Sequence, residues 1–472
     1  MGHITGQSRD QATLFVETLD DLIPSSDPVR VVDAFVGSLD LGVLGFGKVR
    51  SASTGRPPYH PGDLLKLYVY GYLNQIRSSR RLERESHRNI EVLWLLNRLC
   101  PDFKTIADFR RENRGAIVGV CRTFTQFCRG EGLFGAELVA IDGSKFRAVG
   151  SKKSTVTRAQ LKREVAQIDA HIESYLTSLD EIDSDEPQEP PGGGNTVAAL
   201  AALQSRRAEL QALAQAMQER GVNQQVTTEP DARLMRHSGG AQAVSYNVQT
   251  AVDEKHKLIA AHEVTNEGND HRQLYPMASA VRSALGVETL TVVADVGYQN
   301  GEQGAACEAA GITAVVPSQK PVNPRGDFFD KSQFVYEAAQ DQYRCPAGEA
   351  LRVYKTDQQL KVRFYSTAAC EQCHLRVQCT TAKRRSINRH FYADQVEAMN
   401  QRAQAQPALM RLRACLSEHP FGTLKRMSDA GQFLTRGLDN TRAEMALSIL
   451  GYNLTRVINI LGVQRLCAQL AR

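Results

Sequence analysis

The chain has 472 residues, of which 42% are hydrophobic and 23% charged, a length and balance suited to a globular protein of about three domains. No run of about 18 apolar residues occurs, which argues against a membrane span, and the opening MGHITGQSRDQATLF lacks the basic start and apolar stretch of a secretory signal. A formal net charge of +5 is too weak an average to announce a nucleic-acid partner, and ten cysteines in so long a chain do not make a disulfide scaffold.

Charge is segregated along the chain. Residues 1–40 carry 2 basic and 7 acidic side chains, whereas residues 41–130 carry 16 basic and 7 acidic. The second stretch contains QIRSSRRLERESHRNIEVLWLLNRL, with Arg80 and Arg81, and FKTIADFRRENRG. Apolar residues recur there at helical spacing: Leu64, Leu65, Leu67, Tyr68, Tyr70 and Leu73 in one segment, Val92, Leu93, Leu95 and Leu96 in the next. Pro57, Pro58, Pro61 and Pro101 fall at helix boundaries. Residues 1–135 therefore read as a helical, basic domain. Charge alone leaves a solvated face and a DNA-binding face equally open.

From 136 the pattern changes to strands. ELVAIDGSKF, VSYNVQTAVD, KLIAAHEVTN, LTVVADVGYQN and ITAVVPSQ each hold a short run of Val, Ile, Ala and Thr before a polar end. HRQLYPMASAVRSAL and NGEQGAACEAAG supply helices between the third, fourth and fifth. This order predicts an α/β fold with a mixed sheet. Two insertions interrupt it. The first, about 152–235, has no strand signal. Leu161, Val165, Ile168, Ile172 and Leu176 mark one helix; Val197, Leu200, Leu203, Leu210, Leu213 and Met217 mark another. Between them SLDEIDSDEPQEPPGGGN reads as a flexible connector, giving a helical hairpin that is either a contact arm or surface decoration. The second insertion, about 320–395, holds four of the ten cysteines. Helical periodicity then resumes in MRLRACLSEHPFGTLKRM and TRAEMALSILGYNLTRVINILG. Residues 136–430 read as one interrupted domain, with 431–472 as helices packed upon it.

Asp142 ends the apolar run LVAI, and Asp295 ends TLTVVA. A carboxylate at the end of a buried strand is costly to desolvate, yet that is where open α/β sheets collect their sites. Taken singly, each reads more readily as a cap or turn residue, and two in the same sheet shift the balance toward a site. Carboxylates brought together repel unless cations separate them, and hard divalent ions take oxygen ligands. Glu418, in SEHPFGTLKRM, is ordinary as a lone surface residue. In a helix, however, it shares a face with Lys425, seven residues on, and Arg426 stands beside that lysine.

IDGSKF, ADVGYQ and SEHPFGTLKR, in this order, resemble the Asp-Asp-Glu transposases of bacterial insertion sequences, and the resemblance extends over nearly the whole chain. GRPPYHPGDLLKLYVYGYLNQIRSSRRLERE is similar to their helical N-terminal domain, AVSYNVQTAVDEKHKLIAAHEVTNEGND to a central segment, and TRAEMALSILGYNLTRVINILG to the C-terminal one. The resemblance implies an RNase H-like core with Asp142, Asp295 and Glu418 as catalytic, metal-holding carboxylates. Such a triad holds two Mg²⁺, or Mn²⁺, ions about 4 Å apart. Water then frees a 3′-hydroxyl at the element end, and that hydroxyl attacks target DNA. Many relatives carry Tyr-x-x-Arg-x-x-x-Glu before the glutamate; here those positions hold Arg411 and Ala414, so Arg411 or Arg413 is expected to take over the DNA contact. Lys425, Arg426, Lys145, Arg80 and Arg81 complete the expected DNA contacts. The partners implied are double-stranded DNA, as terminal inverted repeats and target, and further copies of the chain in a dimer or larger assembly. The implied location is the bacterial cytoplasm, at the nucleoid, with no membrane contact. A descendant that binds DNA without catalysis, and a nuclease without strand transfer, remain as alternatives.

Cys345 lies in RCPAG, and Cys370, Cys373 and Cys379 lie in CEQCHLRVQC. The set C-x24-C-x2-C-x5-C offers four soft ligands suited to tetrahedral, structural Zn²⁺. His374 is read as a bystander. Some members of the resembled group carry such a cysteine-rich insertion. The other six cysteines, Cys415 among them, read as small buried hydrophobes. Residues 341–430 hold 15 basic against 8 acidic side chains, an arrangement suited to phosphates.

Overall fold

Short polar caps and prolines set the first helices. In the computed structural model, which describes residues 18–50, 57–184, 193–237, 239–319 and 328–472, the N-terminal side carries α1 (Pro28–Gly37), α2 (Pro61–Leu73), α3 (Ser79–Arg88), α4 (Ile90–Leu95), α5 (Phe103–Glu112) and α6 (Arg114–Gly130). Asp27 accepts from the Val29 N–H ahead of α1, and Asp102 from Lys104 and Thr105 ahead of α5, meeting donors a helix start leaves open. α2 is buried from Leu64 to Tyr72 apart from Lys66 and is a core helix. α3 is the reverse, with only Leu82 and Ser86 buried.

β1 (Leu138–Arg147) leads into a short pair, β2 (Thr155–Thr157) and β3 (Gln224–Val226), from which rise the long helices α7 (Arg158–Ser184) and α8 (Gly193–Glu219). There follow β4 (Arg233–Arg236), β5 (Gln242–Asp253), β6 (Ile259–Thr265), α9 (Leu274–Leu285), β7 (Leu290–Val293), α10 (Gly301–Ala309) and β8 (Ile312–Val315). β5 pairs antiparallel with β1 on one edge and with β6 and β4 on the other. β1, β7 and β8 run parallel, joined through α9 and α10 as parallel strands require. The chain is thus a mixed α/β protein. One expectation fails: β2, β3 and β4 lie inside the insertion that carried no strand signal. Each has only three or four residues and is held by a neighbouring strand, too short for alternation to emerge. α7 also runs to Ser184, into the stretch read as connector. α8 likewise begins at Gly193 within it, and the part between, 185–192, lies outside the described residues, as does the N-terminal stretch 1–17.

A second sheet is antiparallel and sequential. It contains β9 (Val335–Glu337), β10 (Gln342–Arg344), β11 (Ala350–Asp357) and β12 (Val362–Ser366), then α11 (Arg376–Cys379), then β13 (Ile387–His390). Its core is small: Phe334, Tyr343, Leu351, Tyr365 and Ile387. The chain ends in α12 (Ala393–Ala405), α13 (Pro407–Met427), α14 (Leu438–Leu461) and α15 (Val463–Leu470). α14 packs against α2 and α6 as well as β6, so one apolar cluster runs from the first helices through the main sheet. Among the described residues, no single helix is long and apolar enough to cross a membrane.

Candidate active site

β1 outlasts its parallel neighbour. Their pairing ends at Ala140 opposite Val293, and β7 then leaves the sheet. Asp142 and Asp295 each stand two residues past that last pair, Asp142 within β1, which runs on to Arg147 against β5, and Asp295 beyond the end of β7. Asp295 accepts from the Gly297 N–H at 2.8 Å, which fixes its own turn. Asp142 accepts from the Gly143 N–H at 2.8 Å and lies 3.7 Å from the Arg413 guanidinium. Burial pushes the Asp142 carboxyl above the usual aspartate range, and Asp295 adds to this; the Ser417 hydroxyl, Arg413 and the Gly143 N–H oppose it.

α13 covers this face of the sheet. Arg413 and Ser417, one turn apart, meet Asp142, and Phe421 packs on Phe146 with ring centres 6.4 Å apart. The Lys425 ammonium lies 5.9 Å from the centre of the Phe146 ring; burial lowers its pKa, and Asp142 works against that. α13 continues through Pro420, so Glu418 and Lys425 do share a face. Glu418 is exposed, one position round the helix from Ser417, and makes no hydrogen bond or ion pair among the described residues. The structure thus brings Asp142 and Asp295 together under the helix that bears Glu418. Among the described residues no group of three or more His, Cys, Asp or Glu side chains is spaced to hold a metal ion. In chemistry, though not in spacing, the oxygen donors of Asp142 and Asp295 are of the kind that Mg²⁺ or Mn²⁺ takes. The carboxyl of Asp142 is disfavoured as an anion, and the Thr250 hydroxyl, cross-strand from it, is buried without a partner.

Behind β1 lies a polar layer that the sequence reading missed. Side chains alternate along a strand, so Gly143 and Lys145 face away from α13, opposite Gln249 and Asn247 of β5. Both amides are fully buried and donate to one oxygen of Asp270, from Asn247 at 2.7 Å and Gln249 at 2.6 Å. The Tyr298 hydroxyl, on the Asp295 turn, donates to the Gln249 carbonyl oxygen. Lys145 lies 3.8 Å from Asp270 with its side chain 15% exposed, and so sits in this layer. The available signal was polar residues at every second position of VSYNVQTAVD, which a buried strand tolerates only with partners.

The remaining basic residues are spread over two helices. Arg80 and Arg81 are exposed on α3 beside Arg84, His87 and Arg88, with the Arg80 guanidinium 4.4 Å from the centre of the Phe103 ring. Arg411 and Arg426 are exposed on α13, whereas Arg413 is turned inward to Asp142.

Cys345, Cys370, Cys373 and Cys379 line one cavity of about 20 Å³, and His374 does not. Burial raises the Cys379 thiol pKa; Arg385 opposes this, while the other three cysteines add to it. Four thiols around a space the size of one water or small ion fit Zn²⁺ in chemistry, though not in ligand spacing. Of the other six, Cys121, Cys128 and Cys307 are buried and Cys100 and Cys467 half-buried. Cys415 is exposed, contrary to expectation, because Leu416 and Ser417 take the inward positions of α13.

Residues 17–112 match the family model of a transposase domain (DUF772), and residues 344–458 match that of a transposase DDE domain. The second region contains Glu418 and Lys425; Asp142 and Asp295 lie between the two. No curated protein matches. A structure described as the cryo-EM structure of a piggyBac transposase synaptic complex with hairpin DNA aligns over 94% of this chain and 79% of that one, at 9% identity and a TM-score of 0.31, too weak a likeness to define the fold. These two transposase-domain matches, on either side of the paired aspartates, support an Asp-Asp-Glu transposase of an insertion sequence.

Proposed function

We propose that the protein binds the terminal inverted repeats of its element and catalyses 3′-end cleavage followed by strand transfer. The observation that carries this is the pairing of Asp142 and Asp295 beyond the last β1–β7 hydrogen bonds, beneath the helix that bears Glu418. Asp142, Asp295 and Glu418 would hold Mg²⁺ or Mn²⁺, which when bound stabilises charge on the attacking and leaving oxygens. The chain's own residues do the rest. Lys425 and Arg413 present cations beside Asp142 for a DNA phosphate, and the exposed arginines of α3 and α13 hold the duplex. In this reading the core is RNase H-like over 136–430, interrupted by the hairpin and the cysteine module, with residues 1–135 and 431–472 flanking it. Zn²⁺ on the four cysteines would staple the second sheet.

A second reading, a DNA-binding descendant without catalysis, draws on the Arg413–Asp142 pair, since a guanidinium there neutralises a carboxylate that a metal would otherwise use. Alanine at Asp142, Asp295 or Glu418 separates the two. The active reading expects wild-type chain to nick a plasmid carrying the coding frame with its flanking DNA in Mg²⁺, and each variant to bind that DNA without nicking. Wild-type binding with no nicking in Mg²⁺ or Mn²⁺ supports the second reading instead.

A further inference from the structure

Asn247 and Gln249 sit fully buried at alternate positions of a central strand, where an amide with unmet bonds costs about 1–3 kcal/mol. Gln249 is bonded at both ends: its carbonyl oxygen accepts from the Tyr298 hydroxyl, and its N–H donates to Asp270. Asn247 donates to the same Asp270 oxygen and to the Glu267 carbonyl at 3.2 Å. Tyr298 is itself fully buried, three residues past Asp295 in the same turn. Asp270 belongs to the loop that enters α9. The hydrogen-bonded chain therefore joins three segments: the Asp295 turn, the middle of β5 and the loop before α9.

Its path crosses β1 at Gly143. A Cβ on Gly143 would come within 2.4 Å of the Gln249 amide nitrogen, 2.7 Å of Asp270 and 3.1 Å of the Tyr298 hydroxyl. The residue after Asp142 is thus glycine because the chain passes where a side chain would stand. β7 ends before Asp295, so no strand pairing sets the distance between Asp295 and Asp142. Tyr298 supplies the missing tie, from the face opposite α13.

We propose that the Tyr298–Gln249–Asp270 chain, braced by Asn247, is a positioning device that holds the Asp295 turn at a fixed separation from Asp142. The proposal rests on the reading of those two aspartates as the metal-holding pair. None of the four residues touches DNA in this account; they act through the two carboxylates, and groups that orient metal ligands commonly govern metal affinity about 10- to 100-fold.

The test uses the full chain with Tyr298→Phe and Gln249→Met, changes that keep volume and delete the hydrogen bonds. Mn²⁺ binding to the protein is read by the loss of the free-ion paramagnetic resonance signal. Nicking of the plasmid described above is titrated with Mg²⁺, and thermal midpoints are recorded alongside. Tyr298→Phe and Gln249→Met should each weaken Mn²⁺ binding and raise the half-saturating Mg²⁺ concentration about tenfold or more. A lowered thermal midpoint with both metal readouts within twofold of wild type overturns the proposal, because the chain is then only structural. Asp142→Ala is run in parallel: if it still nicks DNA, the functional reading fails on its own, whatever Tyr298 does.

Discussion

At the residue scale, Asp142 sets function against stability. Its carboxyl is pushed up by burial, so the folded state holds that proton more tightly than the unfolded chain does. The stability this contributes is complete below the ordinary aspartate range and is lost as pH rises through the raised folded value. In metal-free buffer near pH 7, Asp142→Asn should therefore raise the thermal midpoint, a gain that fades at about pH 3, and in Mg²⁺ it should abolish cleavage. A lower midpoint at neutral pH would contradict the assigned burial cost. Gly143→Ala makes the opposite demand, forcing a methyl against Gln249 and Asp270, and should cost about 1–3 kcal/mol in denaturant unfolding. Asp142 and Asp295 stand out as candidates in the sequence because each ends an apolar run. Asp270 does not, since NEGND reads as any polar turn, and only the fold carries it back to the buried amides of β5.

At the scale of elements, α3 and the cysteine module make separate predictions. α3 exposes Arg80, Arg81, Arg84, His87 and Arg88 around two buried positions, so its contacts with DNA should be electrostatic. Arg80→Ala with Arg81→Ala should weaken end binding and make the logarithmic salt slope shallower by about two, at roughly one phosphate per arginine. An unchanged slope would remove α3 from the interface. Among its described residues the module has five core residues, too few to hold a sheet well alone. Metal analysis should find about one Zn²⁺ per chain, and Cys370→Ser should release it and expose residues 328–390 to protease. The five principal strands and two connecting helices of the main sheet were readable because their apolar runs are long enough to show a period. The strands β2, β3 and β4 were not, because pairing rather than burial of their own faces defines them.

Across the whole molecule, the basic helical segment and the carboxylate site are mechanically joined. Arg77, just before α3 in the stretch that reads as a charged surface, is buried at 8% exposure. It donates to the Gln432 carbonyl at 3.0 Å and meets Glu444 of α14 at 3.1 Å. Glu444, at 1% exposure, also takes the N–H groups of Leu434 and Thr435. Gln432 bridges to Arg147 at the end of β1, five residues beyond Asp142. Glu444→Ala would leave Arg77 buried and unpaired and should cost about 3–5 kcal/mol by denaturant unfolding, with a loss well under 1 kcal/mol contradicting the clamp. Net charge hid all of this: +5 is what remains after an acidic start and an acidic middle, 131–340, offset basic blocks at 41–130 and 341–430. The measurement that bears most directly on the central claim is a joining assay. Full-length chain, Mg²⁺, a linear DNA ending in the element's flanking repeats and a target plasmid are combined, and junctions are sequenced. The account predicts element 3′ ends joined to target DNA by wild type and none by Asp295→Ala. Nicked ends that are never joined, or junctions formed equally by Asp295→Ala, would contradict it.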